Sequence, residues 1–201
     1  MVIDLERAKQ NFKDHVATFS DYGNIKVLDF QRPGSNEYRI RFIFEEDCYR
    51  CHISGDLGEL IAANYRNMTY EGFIRDYMND PGYFSDKILT HSRELYVYDD
   101  QKATDNLKEI FQENEYDFTD EYHVDTVEES WDEKINEILR DFDEIRGIGT
   151  RGYDILSEID SDCWEYISGI GKEKTGIIEL YILAFRLAQE DLKKQEETAN
   201  G

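Results

Sequence analysis

The sequence predicts an α+β fold: an N-terminal helix, a three- to four-stranded antiparallel sheet, and a mostly α-helical C-terminal half with a buried last helix. Three observations carry this expectation. Apolar and polar side chains alternate from Ile25 to Ile53, the period of a half-buried sheet. From residue 101 the period lengthens to that of a helix, as in Leu107, Ile110 and Phe111. Gly176 to Ala188 is apolar almost throughout, as an internal helix would be. With 201 residues, 40% of them apolar and 13% aromatic, the chain has the material for a packed core. An α/β-meander part over 1–98 and an acidic helical part over 99–201 are expected to pack as one unit around a shared core.

In chain order, Asp4 is placed to cap a helix over 4–19, where Leu5, Ala8, Phe12, Val16 and Phe19 recur at helical spacing. Strands follow over 25–31, 37–45 and 48–54, with Tyr38, Ile40, Phe42 and Phe44 on one face and Arg39, Arg41 and Ile43 on the other. Short helices are expected over 57–65, 70–79 (capped by Thr69) and 83–90, and a fourth strand or extended edge over 94–98. A helix over 101–113 leads to an acidic connector, 114–125. Thr126 with Glu129 forms a capping box that opens a helix lined by Val127, Trp131, Ile135, Ile138, Leu139, Phe142 and Ile145. Gly147 and Gly149 stop it. Two short helices, 151–158 and 160–168, precede a last helix over 175–195 that frays beyond Ala188.

Charge excludes several functions. The chain carries 45 acidic against 23 basic residues, a net charge of −22 and a pI near 4.4. Such a chain is repelled by nucleic acid and by anionic membranes, so its partners are basic proteins or cations. No signal sequence is legible at Met1–Glu6, and no apolar run reaches a membrane span, which points to a reducing cytoplasm.

The motifs with chemical potential are weak. Cys48, Cys51 and His52 have the letters of a haem-attachment site, C-x-x-C-H, but fall in a strand where Cys48 and Cys51 face opposite sides. They would form a zinc site only if Cys163, His91 or His123 joined them. Half-buried strand cysteines are the plainer reading. No motif demands a cofactor. Gly169–Thr175 fails the phosphate-loop spacing. Ile145–Gly149 and Ile167–Gly171 resemble the turn of a helix-hairpin-helix, whose amides hold a DNA phosphate, yet glycines closing helices explain both copies. No nucleophile, base and orienting group are tied together by sequence, so nothing predicts an enzyme.

The acids are the outstanding feature. Asp99 to Glu144 holds eighteen Asp or Glu against four Lys or Arg, a local balance of −14. On the helix opened at Thr126, Glu128–Asp132, Glu129–Glu133, Glu133–Glu137 and Glu137–Asp141 are like-charge i,i+4 pairs, each costing roughly 0.2–0.5 kcal/mol. An acidic face is commonly a solubility device, and calcium loops have a different pattern. The excess charge instead marks a partner-binding surface made of Glu113, Glu115, Asp117, Asp120, Glu121, Asp125, Glu128, Glu129, Asp132, Glu133 and Glu137.

Four segments add a resemblance: His52–Glu59, Asp80–Lys87, Cys163–Lys172 and Leu180–Ala188. Together they resemble accessory proteins of phages and prophages of Gram-positive bacteria, over about residues 25–192. Small acidic proteins of this kind include anti-CRISPR inhibitors. The resemblance implies an inhibitor of a host RNA-guided nuclease that blocks its basic nucleic-acid-binding surface as a DNA mimic. It supplies no site residues. A metal-binding phage enzyme using Cys48–His52 and a passive phage assembly protein remain the alternatives.

Overall fold

The computed structural model describes residues 3–199. The fold is α+β: an N-terminal helix, a six-stranded antiparallel sheet and several helices in the C-terminal half. Contacts divide the chain into two units, Ile3–Leu95 with 176–199 and Tyr96–Thr175, and its buried apolar side chains form two clusters, one within each. The last helix therefore belongs with the sheet, not with the acidic helices that precede it in sequence.

In the first unit, Asp4 accepts a hydrogen bond from the Arg7 amide and starts α1 (Leu5–Asn11). The helix is shorter than its apolar spacing suggests, because Val16–Asp21 is a strand, β1, paired antiparallel to β2 (Ile25–Gln31). Val16 and Phe19 fall on helical spacing from Leu5, but both are good strand formers and the pairing of Phe19 with Leu28 decides. The meander continues through β3 (Ile40–Glu45), β4 (Arg50–Gly55), β5 (Leu60–Ala63) and β6 (Ile88–His91), in spatial order one to six. The expected helix over 57–65 is thus β5; an apolar run of four does not separate strand from helix by period.

Between β5 and β6 lie α2 (Tyr70–Gly72), a π-helical turn at Phe73–Tyr77 and α3 (Pro81–Ser85). Thr69 caps α2 through the Gly72 amide, as its position implies. Instead of one helix over 83–90, the chain makes α3 and then β6.

Leu28, Phe30, Ile40, Phe42, Phe44, Cys51, Ile53 and Leu60 are buried on one face of this sheet. Tyr38 only partly follows them, since its φ of +56° takes it out of the strand. On the opposite face the Arg41 guanidinium makes two hydrogen bonds of 2.7 Å to the Asp29 carboxylate. The last helix, α8 (Ile177–Ala199), lays Leu180, Tyr181, Ala184, Phe185 and Ala188 into the core. The Phe185 ring lies 4.6 Å from Phe73 and 5.1 Å from Phe42, centroid to centroid. The tail of α8 stays helical to Ala199 and has a structural task. Asp191 accepts from the Ala17 amide at 2.8 Å and Gln195 donates to the Ala17 carbonyl at 3.1 Å, so side chains of α8 occupy the open edge of β1.

In the second unit, β7 (Tyr96–Tyr98) pairs with β8 (Lys172–Lys174), closing the segment on itself. Between them run α4 (Asp100–Glu113), α5 (Thr119–Tyr122), α6 (Val127–Ile138) and α7 (Thr150–Ile159), joined by short 3₁₀ turns. The expected fourth strand exists, but it pairs with β8 and not with the large sheet. The 160–168 segment is two 3₁₀ turns.

Helix α6 stops at Ile138, well before Gly147. Gly147 instead closes a hairpin in which Asp143 and Gly147 exchange both backbone hydrogen bonds, and its φ of +78° is what that turn requires. The Asp141 carboxylate accepts from the Arg151 and Gly152 amides at 2.9 and 3.2 Å. The helix start that a DNA phosphate would need is thus filled by the chain's own carboxylate. No described helix is long and apolar enough to cross a membrane.

Candidate partner-binding surface

The acidic surface begins with the start of α6. Thr126 accepts from the Glu129 amide at 3.2 Å; the inner side of the helix buries Ser130 and Lys134 and packs Ile135 and Ile138 in one cluster with Ala103, Leu107 and Phe111 of α4. Glu128, Glu129, Asp132 and Glu133 are left on the exposed side by the helical period.

The connector 114–125 is an ordered strap. It turns at Glu115 (φ +53°) and His123 (φ +54°) and contains α5. Trp131 donates its indole N–H to the Tyr116 carbonyl at 2.7 Å, and the Phe118 amide donates to the Ser130 hydroxyl at 3.3 Å. Phe118 packs edge-on to Phe111 at 5.3 Å.

Lys134 completes the attachment. Its side chain is 7% exposed, its ammonium lies 2.6 Å from the Glu121 carboxylate, and it stands 5.1 Å above the Phe118 and Tyr122 rings. Burial alone would lower the Lys134 pKa, but hydrogen bonds to Glu121 and Tyr122 outweigh it and raise the value. A raised lysine contributes stability that is complete at neutral pH and is lost only as pH climbs above its ordinary value of 10.5. Lys134→Ala is expected to cost about 1–3 kcal/mol, because it leaves Glu121 without its cation and the two rings without their cover. The urea midpoint of the variant measures this.

The eleven acids of the expected surface now separate by partner. Ten are exposed and Glu137 is half-buried. Glu121 serves Lys134; Glu137 accepts from the Tyr122 hydroxyl at 2.8 Å and lies 3.6 Å from Arg151; Asp132 lies 2.7 Å from Lys108. Asp117 accepts from the Thr119 amide, a bond that holds its carboxyl below the usual range. These four have work inside the fold. Among the described residues, the carboxylates of Glu113, Glu115, Asp120, Asp125, Glu128, Glu129 and Glu133 form no hydrogen bond or ion pair.

The strap also brings Asp125 to α6. There Asp125, Glu129, Asp132 and Glu133 line an open hollow of about 490 Å³ with His123 and Val124. Asp99, Asp100, Glu144 and Glu173 line a second, of about 420 Å³, with Val97, Tyr98 and Phe142. Sequence reasoning omitted this second group. Glu173 joins it only through the pairing of β7 with β8, and Lys172–Lys174 shows no strand pattern.

The sulfur-containing candidate does not assemble. Cys48 is exposed in the turn before β4, Cys51 is buried in the core, and His52 points to the opposite face, 3.2 Å from Glu45. Burial pushes the Cys51 thiol up, away from the thiolate a metal needs. Cys163 is buried in the second unit's cluster. Among the described residues, no three or more His, Cys, Asp or Glu side chains are grouped to hold a metal ion.

Comparison with protein-family models, curated proteins and solved structures returns no match to this chain.

Proposed function

We propose that the chain is an inhibitor that occupies a basic nucleic-acid-binding surface of a host protein, offering carboxylates where phosphates would lie. The observation behind this reading is the set of seven exposed carboxylates on the strap and α6 that the fold leaves without partners. Carboxylates four residues apart on a helix repeat every ~6 Å, and the rows Glu128–Asp132 and Glu129–Glu133 run side by side. Two such rows approach the ~3.4 Å axial spacing of charge along a DNA strand. The resemblance to phage accessory proteins narrows the host protein to a CRISPR RNA-guided nuclease in the bacterial cytoplasm, whose basic channel and PAM-reading arginines suit an acidic occupant. On this reading the chain binds protein and not nucleic acid, and performs no catalysis.

The test is to mix the purified chain with a candidate nuclease and measure target-DNA binding from 50 to 200 mM salt. Loss of DNA binding that recovers as salt rises is the expected result. Inhibition indifferent to salt would point to forced dimerisation or a locked conformation and would remove the mimicry mechanism.

A further inference from the structure

His15 lies between α1 and β1 and is 6% exposed. It is wedged edge-on against Phe12 and tilted against Phe30, both 5.2 Å away. Among the described residues, neither ring nitrogen has a hydrogen-bond partner. A buried imidazole with both nitrogens unsatisfied is costly, and such groups call for a reason.

The ring is roofed by the loop between β2 and β3, residues 32–39. Tyr38 of that loop packs edge-on to Phe12 at 5.8 Å and holds a left-handed φ of +56°, an uncommon conformation for a residue with a side chain. The loop is fastened at its β3 end, where the Arg39 carbonyl accepts from the Asp56 amide at 2.9 Å and the Arg39 guanidinium lies 3.8 Å from Asp29. The Tyr38 amide donates to Asp56 at 2.9 Å, and Arg32 lies 3.3 Å from Glu37 on the exposed side.

We propose that His15 is an acid-sensitive latch: a proton on its ring releases the 32–39 loop from the core. A cationic imidazole carries two N–H donors and needs an acceptor for each. The Tyr38 and Glu37 backbone carbonyls beside the ring favour its protonated form, but burial outweighs them. The charged groups around it do not rescue the cation in place. Arg32 from the loop repels it and Asp14 beside it attracts it. Glu37 is engaged with Arg32, Asp56 with the Tyr38 amide, and Asp191 of α8 with the Ala17 amide.

Hydration therefore requires the ring to leave the core, where Tyr38 of the loop packs on the neighbouring Phe12. Burial, the largest influence on the group, keeps its pKa below the ordinary 6.5 while the loop is closed. Opening then takes up a proton, and it is favoured as pH falls below 6.5.

Amide exchange of the full chain at pH 7.5 and 5.5 tests this, with rates corrected for intrinsic pH dependence. Protection at Glu37, Tyr38 and Arg39 is expected to drop roughly tenfold, the factor set by protonating a free imidazole one unit below its pKa. Protection at Leu107 and Ile135 is expected to stay unchanged. His15→Gln and His15→Phe are each expected to abolish the loop's pH response, and either variant that folds suffices. In the wild type, the imidazole resonances of His15 are expected to titrate together with the loop. Equal loop protection at the two pH values overturns the proposal. So do a loss spread evenly over β3 and β4, or a pH response that persists without His15.

Discussion

A chain carrying Glu128→Lys, Glu129→Lys and Glu133→Lys is expected to keep its fold and lose its inhibition of the nuclease. All three carboxylates are exposed, and no described residue depends on them. Reversal converts the Glu129–Glu133 repulsion into a like-charge lysine pair, but it relieves the crowding with Asp125, Asp132 and Glu137, so stability should move by less than about 1 kcal/mol. Binding should weaken by roughly 100- to 1000-fold, about 3–4 kcal/mol, since three attractive contacts become repulsive. A control distinguishes placement from total charge. Glu6, Glu190 and Glu197 are also exposed, and their reversal changes net charge by the same amount at other sites. That control should inhibit as the wild type does. If the two triple variants lose equal affinity, net charge and not this surface carries the activity.

Phe185→Ala is expected to produce the largest loss of stability of any single truncation discussed for this chain, about 3–5 kcal/mol. Phe185 is fully buried and contacts Phe42, Phe44, Tyr70 and Phe73, rings contributed by the sheet and by the segment between β5 and β6. Removing it empties the point where α8 is held. The choice of signal matters. Both tryptophans, Trp131 and Trp164, lie in the 96–175 unit. Tryptophan fluorescence therefore reports that unit, whereas far-ultraviolet dichroism reports both. The dichroism transition should move to lower urea. Comparing it with the fluorescence transition shows whether the loss spreads beyond the sheet. An unchanged dichroism midpoint would mean that α8 is not held by this cluster.

What could be read from the sequence depended on whether the signal was local. Caps are local, and Asp4, Thr69 and Thr126 all sit where their side chains bond the amide three residues on. The alternation in β2 to β4 is local too: β2 fills the expected 25–31, while β3 and β4 begin at Ile40 and Arg50, three and two residues later than the pattern suggests. β1 was hidden because Val16 and Phe19 continue the spacing of the helix before them, and only pairing with β2 settles the ambiguity. β8 was hidden because Lys172–Lys174 has no apolar member; Tyr98 across the ladder makes it a strand.

The acidic surface divides in the same way. Its charge was plain in the sequence, but the division between carboxylates that hold Lys108, Lys134 and Arg151 and those that hold nothing depends on where three cations land.

The grip of Asp191 and Gln195 on Ala17 also bears on how the chain is made. These contacts join residues 174 and 178 positions apart. During synthesis the sheet emerges first and α8 last, so Phe42, Phe44 and Phe73 wait uncovered while the whole acidic unit is being made. That unit is continuous in sequence, and all of its own core residues are synthesised before Phe185. The interval is when neighbouring nascent chains would stick to one another at bare apolar faces and open strand edges. The local balance of −14 from Asp99 to Glu144 is in place by then, and it repels them.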